Sequence, residues 1–195
     1  MAEMPQDPLP LLVIVSGAPG SGKTTLAEAV AKRLRLLHLE RDLLMWGMRY
    51  TADGKDVDRP GAGIRTYYDT MQTMLRAGVS FVTDATLYQG KSEPDIQKFL
   101  LPYARIINVH CRSKDEAGRF YARELARNAG QAPDWLEEHM GHLKKIYPLV
   151  VDPLDFGAER IEVDTTIEYN PTLEAIVSQI GDRNHAQRKD SPYGS

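Results

Sequence analysis

The chain has 195 residues, of which 42% are hydrophobic, with one cysteine and a formal net charge of -3. This length suffices for one well-cored domain and is too short for two of ordinary size, and the slightly acidic balance argues against a surface that attracts nucleic acid everywhere. A lone Cys111 cannot form an internal disulfide, no apolar run approaches the roughly 20 residues of a membrane helix, and the start has no basic signal-peptide region. We therefore expect a soluble, cytoplasmic protein without a membrane partner.

Apolar runs alternate with amphipathic stretches along the chain. Runs bounded by turn residues predict strands over residues 11–15, 36–40, 79–83, 106–111 and 160–163. Apolar residues at helical spacing predict helices over residues 23–34, 43–50, 67–75, 92–101, 115–127, 134–146 and 171–180. Turn formers predict loops over residues 51–62 and 128–133. The proline-rich residues 1–10 and the polar residues 182–195 are expected to be disordered.

This alternation of strands and helices is typical of an α/β domain. We expect residues 11–181 to form three layers, with a parallel sheet of five strands covered by helices on both faces. In such sheets, ligands bind beyond the carboxyl ends of the strands. Residues that directly follow a strand are therefore the first candidates for a functional site.

A glycine-rich loop follows the first predicted strand and has the sequence Gly17-Ala18-Pro19-Gly20-Ser21-Gly22-Lys23-Thr24. Its spacing satisfies the P-loop pattern, and a strand before it and a helix after it are the required context. The glycines let backbone N–H groups surround phosphate oxygens, and the positive end of the helix faces the same anion. Lys23 is expected to reach the β- and γ-phosphates of a nucleoside triphosphate, and the Thr24 hydroxyl to hold Mg²⁺. The alternative is a turn that merely joins the strand to the helix.

An aspartate, Asp42, follows the second predicted strand. A carboxylate there can face the terminal phosphate from the acceptor side and take the proton from an attacking hydroxyl, which is the task of a general base. Asp42 can equally cap the helix predicted over residues 43–50. Spacing alone leaves both readings open.

The glycine loop with Thr24-Thr25, followed by a strand that ends in Arg41-Asp42, resembles the P-loop kinases related to polynucleotide kinase, a group that includes zeta toxins and chloramphenicol phosphotransferase. The resemblance implies the P-loop NTPase fold, ATP and Mg²⁺ as cofactors, nucleotide contacts from the loop and Thr25, and Asp42 as the base. It also implies that Asp84, after the third predicted strand, helps to arrange the acceptor and the metal. Asp84 can otherwise satisfy the backbone of the following turn.

Three arginines, Arg119, Arg123 and Arg127, are spaced four residues apart and share one face of a predicted helix. In the family that the chain resembles, a helix with such a pair forms a lid, here residues 119–135, and one guanidinium reaches the transferring phosphate. The resemblance implies Arg119 and Arg123 as that pair, with Arg127 at the lid edge against the nucleotide, and Arg123 with Arg127 stays open as the other possible pair. A solvated face, paired with Glu124 or Asp115, is the alternative.

The acceptor is not identified by the motifs. Polynucleotide kinases often carry an arginine three residues after the base, where this chain has Met45. The expected acceptor is therefore a hydroxyl on a small molecule or on a nucleic-acid end, a 5′-hydroxyl or a modified base included. An NTP-hydrolysing switch with a protein partner is the competing hypothesis, although the GTP-specifying Asn-Lys-x-Asp sequence is absent. His139 and His142, three residues apart, lack a third nearby ligand for zinc.

Overall fold

The computed structural model describes residues 9–49, 61–127 and 133–189. Its strands are β1 (Leu11–Gly17), β2 (Leu37–Glu40), β3 (Phe81–Ala85), β4 (Arg105–Arg112) and β5 (Glu159–Asp164). Its helices are α1 (Lys23–Leu34), α2 (Arg41–Arg49), α3 (Ala62–Arg76), α4 (Ser92–Phe99), α5 (Glu116–Arg127), α6 (Pro133–Ile146) and α7 (Leu173–Lys189). Short 3₁₀ turns follow α4 and α6, at Leu101–Tyr103 and Tyr147–Leu149.

The strands form one parallel sheet in the order β2-β3-β1-β4-β5. Strand β1 lies at the centre, with β3 on one side and β4 on the other. Because all strands run in the same direction, the loop after β1 lies at the same edge as the ends of β2 and β3. The prediction of an α/β domain with a five-stranded parallel sheet is confirmed.

Helices cover both faces of the sheet. Leu11, Val13 and Val15 of β1 pack toward α1 and α7, whereas Leu12 and Ile14 pack toward α3 and α4. Successive side chains of a strand point to opposite faces, so a continuous apolar run such as β1 contributes to two cores at once. This double burial fixes the central strand, and with it the start of the glycine loop.

Strand β3 begins two residues later than predicted, because the preceding residues complete the end of α3. Gly78 has a φ of +75°, and its N–H donates to the Leu75 carbonyl at 2.9 Å. The N–H of Val79 donates to the Met74 carbonyl at 3.0 Å, in the manner of a glycine-terminated helix. Val79 therefore belongs to the C-terminal cap of α3. Strand β3 runs over Phe81–Ala85 and includes Asp84.

The last helix is longer than predicted. Helix α7 continues through Lys189, so the expectation of a disordered tail from residue 182 is wrong for residues 182–189. This stretch contains no proline, and its Ala, Gln, Arg and Lys residues have good helix propensity. Residues 190–195 and 1–8, to which the other expectations of disorder applied, lie outside the described residues.

Helix α2 begins at Arg41, two residues before the predicted start. Asp42 therefore lies in the first turn of the helix instead of preceding it. The predicted loops fall almost entirely on residues 51–60 and 128–132, which are outside the described residues. None of the described helices combines the length and the apolar character that a bilayer span requires.

The base of helix α5 is fixed by local hydrogen bonds. Glu116 accepts the N–H of Ser113 at 2.9 Å through Oε1, and Ser113 Oγ accepts the N–H of Asp115 at 3.3 Å. These bonds satisfy amides that the first turn of a helix leaves without partners. Helix α5 thus starts at a defined point above the end of β4 and packs along α6.

Candidate functional site

The glycine loop between β1 and α1 has a backbone that only glycine adopts easily. Gly17, Gly20 and Gly22 have φ values of +148°, +88° and +80°. A Cβ on Gly17 would lie 2.5 Å from both the Cys111 carbonyl oxygen and Ser21 Oγ. Gly22 caps α1 and supplies no side chain to its first amides, so these N–H groups remain directed at whatever occupies the loop.

Gly20 lies close to the first residue of helix α5. A Cβ there would overlap the carbonyl oxygen of Glu116 and lie 2.8 Å from its carbonyl carbon. We expect Gly20→Ala to lower the free energy of unfolding by at least about 2 kcal/mol, through backbone strain and this overlap. Urea unfolding of the variant measures the effect. As a control, Gly141→Ala in α6 meets no atom within 4 Å; it should stabilise the protein by about 0.5–1 kcal/mol. Equal stability of the two variants would contradict this account.

Lys23 begins helix α1 and lacks a full set of anionic partners. Burial lowers the pKa of its ammonium, and the positive charges of Arg123 and Arg41 act in the same direction. The carboxylates of Asp84 and Asp42 raise the pKa, yet the net shift is downward. A cation that is desolvated and only partly compensated favours an added anion. The electrostatics of the loop therefore suit a polyphosphate.

Asp84 lies at the carboxyl end of β3 and is joined to Thr24 and His38. Thr24 Oγ1 donates to Asp84 Oδ2 at 2.6 Å, and His38 Nε2 lies 2.9 Å from Asp84 Oδ1. Burial by itself raises the pKa of Asp84, but the two hydrogen bonds and the charge of Lys23 outweigh burial and lower it. Asp84 is therefore an ionised carboxylate beside the Thr24 hydroxyl at neutral pH.

Acidic residues gather across from the loop, at the end of β2. Asp42 is 64% exposed, and its Oδ1 accepts a hydrogen bond from Arg41 Nη2 at 3.2 Å. Arg41 also donates to the Thr86 carbonyl at 3.2 Å, which fixes its direction. Burial, followed by the negative charges of Asp84 and Asp42, raises the pKa of Glu40. This edge of the site therefore has a negative potential and an accessible carboxylate.

The three predicted arginines of helix α5 have different partners. Arg119 Nη2 donates to the Thr166 carbonyl at 2.6 Å, in the turn after β5. Arg123 acts electrostatically on Lys23, and Arg127 on Glu40. The guanidinium charges of helix α5 therefore act on both the lysine of the loop and the acidic edge. The predicted pairing with Glu124 also occurs, at 3.1 Å for Arg123 and 3.9 Å for Arg127.

The turn after β5 is tied to the glycine loop. Thr165 Oγ1 donates to the Ser21 carbonyl at 2.6 Å, and the N–H of Thr165 donates to the Arg112 carbonyl at 2.8 Å. Next to this turn, a cavity of about 490 Å³ is lined by Arg112, Ser113, Lys114, Tyr147, Glu162, Val163, Asp164 and Thr166. The cavity therefore shares Thr166 with the turn that Arg119 contacts.

The structure brings most of the predicted residues to one edge of the sheet. Lys23 and Thr24 come from the glycine loop, Asp84 from β3 and Asp42 from α2, and the charge of Arg123 on α5 acts on Lys23. Of the other predicted loop contacts, Ala18 and Ser21 are buried, Pro19 is partly buried and Thr25 is exposed. Arg119 is bonded to the turn after β5, and its Nη1 also lies near the glycine loop, 4.0 Å from the position of a Cβ on Gly22.

Sequence reasoning missed two residues, His38 and Glu40. Both lie on β2, which pairs with β3 so that Glu40 is opposite Asp84. Only the neighbour relation between β2 and β3 identifies them, and the sequence gives no signal for that relation. Tyr67 and Tyr68 are buried in the core between the sheet and α3.

One buried histidine of β4 has structural partners. His110 is buried, lies 3.0 Å from Ser16 Oγ through Nδ1, and reaches the Val151 carbonyl at 3.0 Å through Nε2. Burial raises the pKa of the Cys111 thiol to about 12, so this thiol is an inert core group. Across the described ranges, no three His, Cys, Asp or Glu side chains gather as a metal cluster would.

A glycine loop at the end of the central strand of a parallel sheet, with a lysine at the start of the next helix, makes this an α/β fold of the P-loop NTPase type. The chain belongs to the AAA domain family, which it matches over residues 12–139. This match covers the loop, both acidic positions and the whole of α5.

Proteins similar to this chain include kinases. A cytidylate kinase of Clostridium tetani (strain Massachusetts / E88) is 23% identical over 192 residues, which cover 93% of this chain and 81% of the relative. A protein of Chloroflexus aurantiacus J-10-fl, named as a candidate kinase, has a similar structure with a TM-score of 0.68 and 25% identity, over 89% of this chain and 98% of its own. A gluconokinase of Sinorhizobium meliloti 1021 has a TM-score of 0.58 and 15% identity, over 93% of this chain and 99% of its own, which is evidence for the fold alone. The chain is therefore a kinase-like member of its family.

Proposed function

We propose that the protein transfers the γ-phosphate of ATP to a hydroxyl group of a small molecule or of a nucleic-acid end. The observation that carries the proposal is the charge arrangement around Lys23. The carboxylates of Asp42 and Asp84 and the guanidinium of Arg123, contributed by α2, β3 and α5, all act on this ammonium. The desolvated Lys23 ammonium, with the accessible Asp42 carboxylate and the Arg123 guanidinium acting on it, suits the terminal phosphate of a nucleotide during its transfer to an acceptor.

The residues present fit a triphosphate with Mg²⁺. The loop glycines have positive φ values, and the buried Ser21 Oγ has no hydrogen-bond partner among the described residues. Thr24 Oγ1 and Asp84 Oδ2 are adjacent oxygen donors, the type that Mg²⁺ prefers. When bound, Mg²⁺ neutralises charge on the β- and γ-phosphate oxygens. Thr24 would hold the ion, with Asp84 beside it.

Asp42 is the proposed general base. Its carboxylate is exposed enough to meet an acceptor and lies in the electrostatic range of Lys23. It accepts the proton of the acceptor hydroxyl while the hydroxyl oxygen forms a bond to the γ-phosphorus. The bond from this phosphorus to the β,γ-bridging oxygen breaks, and ADP leaves with the electron pair. The products are a phosphate monoester and ADP.

The lid arginines have separate proposed roles. The charge of Arg123 acts on Lys23, so Arg123 is proposed to stabilise the transferring phosphate. The charge of Arg127 acts on Glu40, so Arg127 is proposed to approach from the acceptor side. Arg119 is directed at the turn after β5, beside the cavity there, so we propose that it contacts the nucleoside end. This order assigns Arg123 and Arg127, instead of Arg119 and Arg123, to the phosphate side.

The acceptor is proposed to be neutral or cationic near its reacting hydroxyl. Glu40, Asp42 and Asp84 give the acceptor edge a negative potential, and the cation Arg41 is already bonded to Asp42 and Thr86. An anionic group placed among these carboxylates would be repelled. Transfer to the phosphate of a nucleotide, the chemistry that the name of the cytidylate kinase relative states, is therefore disfavoured. The resemblance to the polynucleotide kinase group agrees with a hydroxyl acceptor.

Incubation with γ-labelled ATP and Mg²⁺ tests the proposal. The acceptor panel consists of sugars, nucleosides, hydroxyl-bearing antibiotics and 5′-hydroxyl oligonucleotides, with CMP and gluconate as anionic acceptors. We expect the label to appear as a phosphate monoester on one hydroxyl class, and the Asp42→Asn variant to lack this product. A matched reaction without acceptor measures hydrolysis.

Two results would reject the proposal. Label recovered on the phosphate of CMP would replace the hydroxyl acceptor with a phosphate acceptor. Steady hydrolysis that is the same with and without every acceptor, and is unaffected by Asp42→Asn, would favour the NTP-hydrolysing switch. If an oligonucleotide is the acceptor, binding should weaken as salt increases, because phosphate contacts release counterions.

A further inference from the structure

His38 lies on β2 with its ring directed at the β3 carboxylate of the site. In the parallel pairing, His38 is opposite Val82, and Glu40 is opposite Asp84. Side chains two residues apart on a strand share a face, and Val82 faces the core under α1. His38 and Asp84 therefore both lie on the α1 face, where Thr24 begins the helix.

The Asp84 carboxylate has a different partner for each oxygen. His38 Nε2 lies 2.9 Å from Oδ1, and Thr24 Oγ1 donates to Oδ2 at 2.6 Å. An ionised carboxylate only accepts, so the Nε2–H tautomer of His38 is the one that completes this network. With Oδ1 engaged by the ring, rotation of the carboxylate is blocked and Oδ2 stays at the Thr24 hydroxyl.

The His38 side chain is 16% exposed and that of Asp84 is 6% exposed. The hydrogen bond is thus shielded from water, which strengthens it and makes its loss costly. Strand β2 needs no such bond to stay in register, because four consecutive residue pairs already join it to β3. The hydrogen bond of His38 therefore acts mainly on the orientation of the Asp84 carboxylate.

We propose that His38 is a positioning residue that acts through Asp84: it fixes the carboxylate so that Oδ2 and the Thr24 hydroxyl together present oxygen donors to the cation of a bound nucleotide. The inference rests on the nucleotide site of the proposed function and not on the identity of the acceptor. It also gives a function to a histidine for which the phosphate transfer itself has no role. Partners that orient a metal-site carboxylate typically change metal affinity by about 10–100-fold when they are removed.

Two substitutions of similar polarity separate orientation from folding. His38→Gln keeps an N–H donor at a reach close to that of Nε2, whereas His38→Asn is one bond too short. Binding of Mn²⁺ is measured by electron paramagnetic resonance, with the protein saturated by a non-hydrolysable ATP analogue. We expect His38→Asn to weaken Mn²⁺ binding by about 10–100-fold, and His38→Gln by less than about threefold. Leu37→Ala, an outward-facing position of the same strand with 55% exposure, is the control and should bind Mn²⁺ like the native protein.

Two further measurements exclude a general structural effect. Affinity for the same analogue in EDTA should be unchanged in both His38 variants. On an Asp84→Asn background, His38→Asn should weaken Mn²⁺ binding by less than about twofold, since a residue that acts through a partner has no effect once the partner is altered.

The inference is overturned if His38→Asn binds Mn²⁺ like the native protein, if His38→Gln loses as much affinity as His38→Asn, or if the effects of His38→Asn and Asp84→Asn multiply. A parallel loss of analogue affinity in EDTA would overturn it as well. None of these readouts needs phosphate transfer. If the native protein proves inactive on every acceptor, the proposed reaction fails while the His38 inference is still decided by Mn²⁺ binding.

Discussion

Asp42→Asn is expected to lower the kcat for phosphate transfer by about 10²–10⁴-fold, the usual contribution of a general base, with nearly unchanged affinity for ATP. Asparagine has the same shape and keeps an acceptor oxygen for Arg41, but it cannot take the proton of the acceptor hydroxyl. Nucleotide affinity should survive because Asp42 is 64% exposed at the acceptor edge and is not part of the glycine loop. Initial rates with the labelled acceptor and nucleotide titration measure the two effects.

The control for this variant is Asp69→Asn, which removes an equal charge from an exposed position on α3. It should leave kcat and nucleotide affinity unchanged. Asp42 also lies in the first turn of α2, where a carboxylate stabilises the helix by about 0.3–1 kcal/mol. A small loss of stability is therefore expected in Asp42→Asn. Full transfer activity in that variant would reject Asp42 as the base.

The parts of the fold that the sequence predicts best are those set by local pattern. A continuous apolar run identifies β1 as a buried strand, and apolar residues at helical spacing identify α1. Because both patterns are local, the loop between the two elements is predicted without knowledge of distant contacts. Helix ends were less certain, because capping decides them. Val79 has a strand-forming side chain, but Gly78 ends α3 in a way that uses the Val79 amide.

Contacts between strands that are far apart in sequence could not be predicted in the same way. The sequence places Asp84 after a strand, but its bond to Thr24 depends on β3 lying next to β1. The position of His38 depends in turn on β2 lying next to β3. Strand order is set by how the helices pack on both faces, and no single segment encodes that packing. Spacing likewise puts the lid arginines on one face without ordering them along the site.

Arg123→Ala is expected to have the largest effect on transfer, a loss of about 10³-fold or more in kcat, because a guanidinium on the transferring phosphate contributes 10³–10⁵-fold in related chemistry. The charge of Arg123 acts on Lys23, and its guanidinium pairs with Glu124 at 3.1 Å. Two cations that approach each other are stabilised when an anion lies between them. The side chain should therefore leave Glu124 for the phosphate when the nucleotide binds.

Two companion variants make this expectation specific. Arg123→Lys keeps the charge but loses the planar fork that spans two phosphate oxygens, so it should recover only part of the rate. Arg76→Ala removes an arginine that bonds to Tyr103 at 2.7 Å, at the end of α3 that precedes β3 and thus at the opposite edge of the sheet. It should leave the rate unchanged.

Arg119→Ala then distinguishes the two ends of the lid helix. Because Arg119 is bonded to the turn after β5, its loss should weaken nucleotide binding by about tenfold, the equivalent of one charge-assisted hydrogen bond, with little change in kcat. Steady-state kinetics give KM and kcat for both variants, and an interaction made only in the transition state lowers kcat alone. The opposite result, in which Arg119→Ala lowers kcat and Arg123→Ala raises only KM, would mean that the lid binds the nucleotide in the reverse direction along α5.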